Sequence, residues 1–392
     1  MLFVNKKELP LMMRHHFLRL SGYIVLWLLS IAMCRPVVAS SPPVLSGPAS
    51  SAALQVIEFC ADPKVGFDGN AAATVADYVL SLKQTRVYEL PKAKDCTGAY
   101  HEFDVKVTLP RFIEYSYNPQ IPPAVTRPSS LRYSTWTSPR DLSHKFPNSW
   151  EPVAPSAAPV VIHAMQRECD TPDLNSGAYH EYDLKRTLVL FNHKGRQVLF
   201  SISKQIDKSN VGKKGFILGD DTEWAYYYSG EPGTPKTGLG WVKSYIYDYF
   251  SVGVYAESDT TPGVVRAAVF QWLSAGWIGT NFVKTAHILR GLERFARDCK
   301  LVLESPRLPA SNQIVSAYQR LSTMPAPELM KRYGALQQAV RSKAAKMGKI
   351  KQADVDEQVS YANIPREQIM EELMLEYLKT SIDNAPLVKE QF

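Results

Sequence analysis

Apolar and polar positions change their period several times along this chain, and each change predicts an element. Ala71 to Leu82 has helical spacing. Thr187–Phe191 and Val198–Ser203 are short apolar runs either side of the turn-like Asn192–Arg196, which predicts a hairpin. Glu223–Tyr228 and Trp241–Tyr255 read as further strands, joined by a loop, Ser229–Gly240, with four glycines and two prolines. Beyond Pro262 the pattern reads as helix: Val264–Ala275, a break at Gly276–Gly279, then Asn281–Leu303. In the latter, Phe282, Ile288, Leu289, Leu292 and Phe295 form a face that packs on the sheet. Pro306–Pro327 reads as a connector, and Leu329, Tyr333, Leu336 and Val340 begin a last helical region.

Pro-rich and small-residue stretches divide these elements. Residues 40–53 read as a linker, 54–149 as a first β-rich module with a Pro-rich stretch at 110–128, and Trp150–Pro159 as a second linker. A second β-rich module with covering helices spans 160–303, and a C-terminal helical region spans 326–385. The fold class is α+β: two related antiparallel β-rich modules with packed helices and a C-terminal helical hairpin. Between Lys331 and Lys351 lie seven basic residues and no acidic one; between Asp354 and Glu376 lie seven acidic residues and one basic, Arg366. Two such helices fold on each other most simply. The alternative is a peripheral membrane contact through Lys331–Lys351.

The modules are related by a repeat. Gly98-Ala-Tyr-His-Glu-Phe-Asp-Val-Lys-Val-Thr-Leu109 recurs as Gly177-Ala-Tyr-His-Glu-Tyr-Asp-Leu-Lys-Arg-Thr-Leu188, identical at nine of twelve positions. On strands, one face carries His101, Phe103, Val105, Val107 and Leu109, matched by His180, Tyr182, Leu184, Arg186 and Leu188. The other carries Tyr-Glu-Asp-Lys-Thr in both copies, so the polar face has not drifted while the apolar face has. A solvated face is usually the freer one. Glu102, Asp104, Glu181 and Asp183 are therefore candidates for binding a polar ligand or a divalent cation; otherwise they form cross-strand ion pairs between adjacent copies. His101 and His180 are weak catalytic candidates as general bases, because each points away from its neighbouring glutamate.

Aromatic rows supply a second candidate surface. Trp224, Tyr226 and Tyr228 alternate on one predicted strand and Tyr245, Tyr247 and Tyr249 on another, with Trp241 at the loop edge. Trp224, Tyr226 and Trp241 are the ligand-binding candidates, set against ordinary strand packing. Ser201–Lys204 and Lys236–Gly238 fit the short S-x-x-K and K-T-G patterns, but their spacing and their strand and loop settings make the match a coincidence. No H-E-x-x-H, G-x-S-x-G or phosphate-loop motif occurs.

Charge and cysteine content bear on compartment. Lys6, Lys7, Arg14 and Arg19 precede an apolar run from Gly22 to Cys34, and Val37-Val38-Ala39 offers a cleavage site, so residues 1–39 read as a signal peptide. Thirteen apolar residues are short for a membrane span. Those 39 residues hold five basic and one acidic residue, so the formal net charge of +7 falls to +3 after cleavage. This removes the general case for nucleic-acid binding. Cys60, Cys96, Cys169 and Cys299 remain; in an exported protein an even count predicts two disulfides, Cys60–Cys96 and then Cys169–Cys299. The expectation is a periplasmic or secreted protein with a non-catalytic ligand-binding or scaffolding role toward a ligand or envelope component. The alternative is a hydrolase using the repeated His/Glu/Asp positions; no cofactor is implied beyond a possible divalent cation.

Overall fold

Alternating side chains on long strands build one antiparallel sheet, which helices cover on both faces. The computed structural model describes residues 42–45, 47–62, 64–81, 86–138, 157–173, 177–236, 238, 240–356, 361 and 363–390. The signal segment, its cleavage site and residues 150–156 of the second linker lie outside them. The sheet takes the order β1 (Val87–Ala93), β2 (Cys96–Val105), β13 (Val265–Trp277), β12 (Tyr245–Glu257), β7 (Arg196–Gln205), β6 (Glu181–His193), β4 (Val160–Asp170) and β3 (Leu131–Ser138); β14 (Thr280–Asn281) pairs with β13. The fold is α+β with C-terminal helices, and strands from both expected modules join in this one sheet: from 54–149, β1 and β2 lie at one edge and β3 at the other, with strands of 160–303 between them. Two small sheets flank it, β5 (Ala178–Tyr179) with β8 (Lys213–Ile217) and β9 (Tyr226–Pro232), and β10 (Thr234–Lys236) with β11 (Gly240–Val242).

Helices α1 (Pro48–Ala61) and α2 (Gly69–Leu80) cover one face, packing Val56, Ile57, Val75 and Val79 against Phe200, Val252 and Phe270. Proline at the start of α1 ends the expected linker early, since its missing N–H is no loss in a first turn. The Asp68 side chain caps α2 by accepting from the backbone N–H groups of Asn70 and Ala71. The other face carries α3 (Leu109–Tyr117), α4 (Pro123–Thr126) and α5 (Thr285–Leu303). Beyond these lie α6 (Ser311–Thr323), α7 (Ala326–Lys346), α8 (Gln352–Asp356) and α9 (Arg366–Ile382).

Several sequence expectations change. Val264–Ala275 is not a helix but lies in the central strand β13, with Ala268, Phe270 and Trp272 toward α1 and α2 and Val269 and Leu273 toward α5. A strand buried on both faces shows an unbroken apolar run, which periodicity does not separate from a buried helix. The Pro-rich stretch at 110–128 contains α3 and α4, each opening on proline, and the 306–327 connector contains α6. The oppositely charged helices α7 and α9 do pack together. Their contacts ascend in step: Arg366 reaches the Leu321 and Met324 carbonyls just before α7, while Tyr333 and Gln337 meet Glu372. The chain therefore returns through α8 between them instead of making a tight turn.

The cysteines expected to form two disulfides are separate buried thiols in this structure. The Cys60 Sγ faces the Lys185 and Ile202 carbonyls, and the Cys96 Sγ faces those of Lys94 and Asp248. Burial pushes the Cys96 thiol up to about 12 and raises the Cys60 and Cys299 thiols as well. Among the described residues no helix is long and apolar enough to cross a membrane.

Candidate functional site

The two repeat copies lie four strand spacings apart, about 19 Å, with β13, β12 and β7 between them. They share no site. Their polar face turns out to be the face that α1 and α2 cover. Glu102 is fully buried; Arg86 donates to it through Nε (3.1 Å) and Nη2 (2.5 Å), the Tyr100 hydroxyl also donates, and Arg266 lies 3.8 Å away. Lys185 donates to the Ala61 carbonyl at the end of α1. The retained polarity is thus that of a face buried at Tyr100, Glu102 and Thr187 and open at Asp104 and Asp183, and its buried carboxylate is paired.

The aspartates make matching cross-strand pairs. Asp104 sits directly opposite Arg266 on β13, at 2.5 Å, and Asp183 directly opposite Arg167 on β4, at 2.8 Å. The ladder exists, but with arginines on neighbouring strands, not with lysines of the other copy. Glu181 accepts from the Tyr133 hydroxyl and from Asn210, beside a second cavity of about 60 Å³. Among the described residues no three or more His, Cys, Asp or Glu side chains group to hold a metal ion.

The histidines face the other way. His101 is buried with its Nδ1 unpartnered among the described residues, stacked on Phe103 at 5.9 Å. Burial, with Lys300 nearby, lowers its pKa to about 4, so it is neutral at pH 7. His180 ends the short β5 branch, where the second copy leaves the main sheet. Its Nδ1 lies 3.5 Å from Asp170 Oδ2 and its Nε2 3.4 Å from Ser244 Oγ. That is the order of carboxylate, base and hydroxyl in a nucleophilic triad, with both contacts long. Gly212 closes the approach: a Cβ there would stand 2.5 Å from His180 Nε2 and 2.6 Å from Ser244 Oγ.

The aromatic rows divide. Trp224 is not on a strand; it follows a 3₁₀ turn (Asp221–Glu223) at φ 50°, fully buried, and Tyr226 is buried beside it. Of the three named candidates only Trp241 is open to solvent, at 50%, with its indole N–H on the Pro232 carbonyl. A bulge between Ile246 and Asp248 breaks the second row. It reverses the facing of β12, so Tyr245 and Tyr247 stack on each other outside while Tyr249 turns inward.

That bulge helps to form a cavity of about 260 Å³ between the sheet and α5. Past the bulge, Tyr249, Ser251, Gly253 and Tyr255 line it in alternation while Phe250, Val252 and Val254 pack under α1 and α2. Tyr182 and Arg186 of β6, Gln271 of β13, Phe295 of α5 and Arg127 after α4 complete the features that matter. Gly291 of α5 lines the cavity yet is solvent-exposed, and so marks where it opens. Arg186 is buried and donates to Glu168 (2.7 Å) and Gln166 (3.0 Å); Arg127 stands 3.8 Å from the same Glu168. Burial raises the phenols of Tyr182, Tyr249 and Tyr255, which stay protonated as hydrogen-bond donors.

Sequence reasoning passed over this cavity. One signal was present: Arg186 occupies the apolar-face position that Val107 holds in the first copy, and a buried arginine requires a buried acid. No protein-family profile and no curated protein matches the sequence. Among solved structures, the human StarD13 (DLC2) lipid transfer and protein localization domain is similar with a TM-score of 0.32 and 8% identity, covering 60% of this chain and 97% of that one.

Proposed function

We propose that this chain is a non-catalytic binding protein of the cell envelope, exported after cleavage near Ala39, that holds a small molecule between its sheet and α5. The observation that carries the reading is the cavity of about 260 Å³, lined by tyrosines, an arginine pair and apolar side chains, and open beside Gly291. A cavity of about 150 Å³ takes up benzene, so the space suits a ligand of on the order of ten non-hydrogen atoms. Apolar walls with a few placed polar groups are the usual composition of such sites.

Uptake of the neutral dye N-phenyl-1-naphthylamine, read by fluorescence, tests it. A Cβ at Gly291 meets nothing within 4 Å, so Gly291→Phe keeps the helix and obstructs the opening. Uptake by the unaltered protein, reduced tenfold or more in the variant, is expected; no uptake, or equal uptake by both, sinks the cavity reading. N-terminal sequencing of the exported protein tests cleavage, and a retained Met1 refutes it.

A hydrolase reading has one observation in its favour, the Asp170–His180–Ser244 order. Covalent labelling by a fluorophosphonate that disappears in Ser244→Ala would establish it. With Gly212 packed over both reacting atoms, no labelling is expected.

A further inference from the structure

Arg127 is the group in the cavity whose bonding capacity is least used. A guanidinium carries five N–H donors in a rigid fork. Among the described residues the Arg127 side chain makes no hydrogen bond; its one ionic contact is Glu168 at 3.8 Å, and it is only 16% exposed. Glu168 is already held at 2.7 Å by Arg186. Two guanidiniums thus share one carboxylate, which leaves one positive charge without a close partner in a partly desolvated site. Such a charge is costly unless paired.

The other acids near the cavity make their hydrogen bonds away from Arg127. Asp170 accepts from the His180 backbone N–H and faces the His180 ring. Asp173 accepts from the Gly177 N–H, and Asp221 neutralises Arg294 through two hydrogen bonds. Three further polar groups on the cavity wall are unspent. Among the described residues the Ser129 hydroxyl, two residues from Arg127, is buried without a partner, and neither the Tyr182 hydroxyl nor the Gln271 amide makes a side-chain hydrogen bond. The remaining wall is apolar, including Leu273, Leu292 and Phe295.

Building on the proposed cavity function, we infer that the ligand is a small amphipathic carboxylic acid whose carboxylate the Arg127 guanidinium holds, with its ring or chain among the tyrosines. The fork of one guanidinium matches a planar carboxylate bidentately. The lining acids Glu168, Asp170 and Asp173 balance Arg127, Arg186 and Arg294, which disfavours a phosphate, carrying nearly two negative charges at pH 7, more than a monoanion. Ser129 and Gln271 then supply hydrogen bonds for a second polar group on the ligand.

The test compares acids with their own amides, which share shape but not charge. The purified protein is titrated calorimetrically with 4-phenylbutyrate, 1-naphthylacetate and decanoate, and with the corresponding primary amides. At least one acid is expected to bind tenfold or more tighter than its amide, since a hydrogen bond to a charged group contributes at least that factor. In Arg127→Gln the gap closes; in Arg127→Lys, which keeps the charge without the fork, it narrows. Acids and amides binding alike, or a gap that survives Arg127→Gln, would overturn the inference. If the glutamine variant does not fold, the comparison on the unaltered protein decides alone. Dye uptake without acid preference removes only the carboxylate subsite, whereas failure of dye and acids together removes the cavity reading too.

Discussion

Glu102 and Asp183 come from two copies of one motif, yet burial gives them different energetic weight. Glu102 is 0% exposed and its partner Arg86 13%, whereas Asp183 and Arg167 are 41% and 48% exposed. Removing one member of a buried pair strands the other charge, a cost of about 3–5 kcal/mol. An exposed pair contributes below about 1 kcal/mol. Glu102→Ala is therefore expected to lower the urea midpoint strongly and Asp183→Ala barely; equal effects would show that burial does not set the difference. His101 gives a matching pH dependence. Its folded pKa of about 4 lies below the ordinary histidine value near 6.5, so the unfolded chain binds its proton first. The stability it permits is complete above about 6.5 and is lost as pH falls through about 4. His101→Phe, which keeps a ring against Phe103, is expected to lose less stability between pH 7 and pH 4.5 than the unaltered protein, measured by urea denaturation. An unchanged pH profile would exclude this role for His101.

Helix α7 shows where local propensity departs from the fold's needs. Gly334 lies in its interior, and a Cβ there would meet nothing within 4 Å. Gly334→Ala should stabilise the protein by about 0.5–1 kcal/mol, because glycine loses more backbone entropy in a helix than alanine does. Destabilisation on thermal melting would indicate a close approach at Gly334. Several elements were legible in the sequence: α2, the β6–β7 hairpin, Leu329–Val340 and the α5 stripe from Ile288 to Phe295 occur where the pattern places them, while Phe282 lies before the helix and is exposed. Those whose signal is shared with another state were not. β13 reads as a helix because both its faces are buried, and α1 and α6 hide in stretches whose prolines and small residues suggest linkers. The bulge near Ile246 leaves no local mark, yet it decides which tyrosines of β12 reach the cavity. The repeat announced related strands but not their separation, since register within a strand is local and strand order is not.

The cavity was least legible of all, because its wall is drawn from β3, β4, β6, β7, β12, β13, α3, α5 and the segment after α4, with no two polar residues in a recognisable motif. Only the folded chain brings Arg127 to Glu168. The same long-range logic governs the C-terminal helices, which bind to the sheet edge through buried polar contacts. Arg132 of β3 donates to Glu372 at 2.8 Å and lies 3.8 Å from the centre of the Tyr228 ring; the Ser134 N–H donates to Glu371 at 3.0 Å. Glu372 also accepts from Tyr333 and Gln337 of α7, so a single carboxylate ties α7, α9 and β3 together. Burial raises the Glu371 carboxyl well above its ordinary range. Residues 43–392 form one compact unit by contact, so the C-terminal region should melt with the sheet and not before it. Calorimetry should give one transition. Glu372→Ala should lower it by about 3–5 kcal/mol, since Arg132 is then left buried without its partner. A separate low-temperature transition in the unaltered protein would show that the C-terminal helices are an independent unit. A single transition that Glu372→Ala leaves in place would show that the apolar contacts of Leu329, Tyr333, Leu373 and Leu378 hold them without the ion pair.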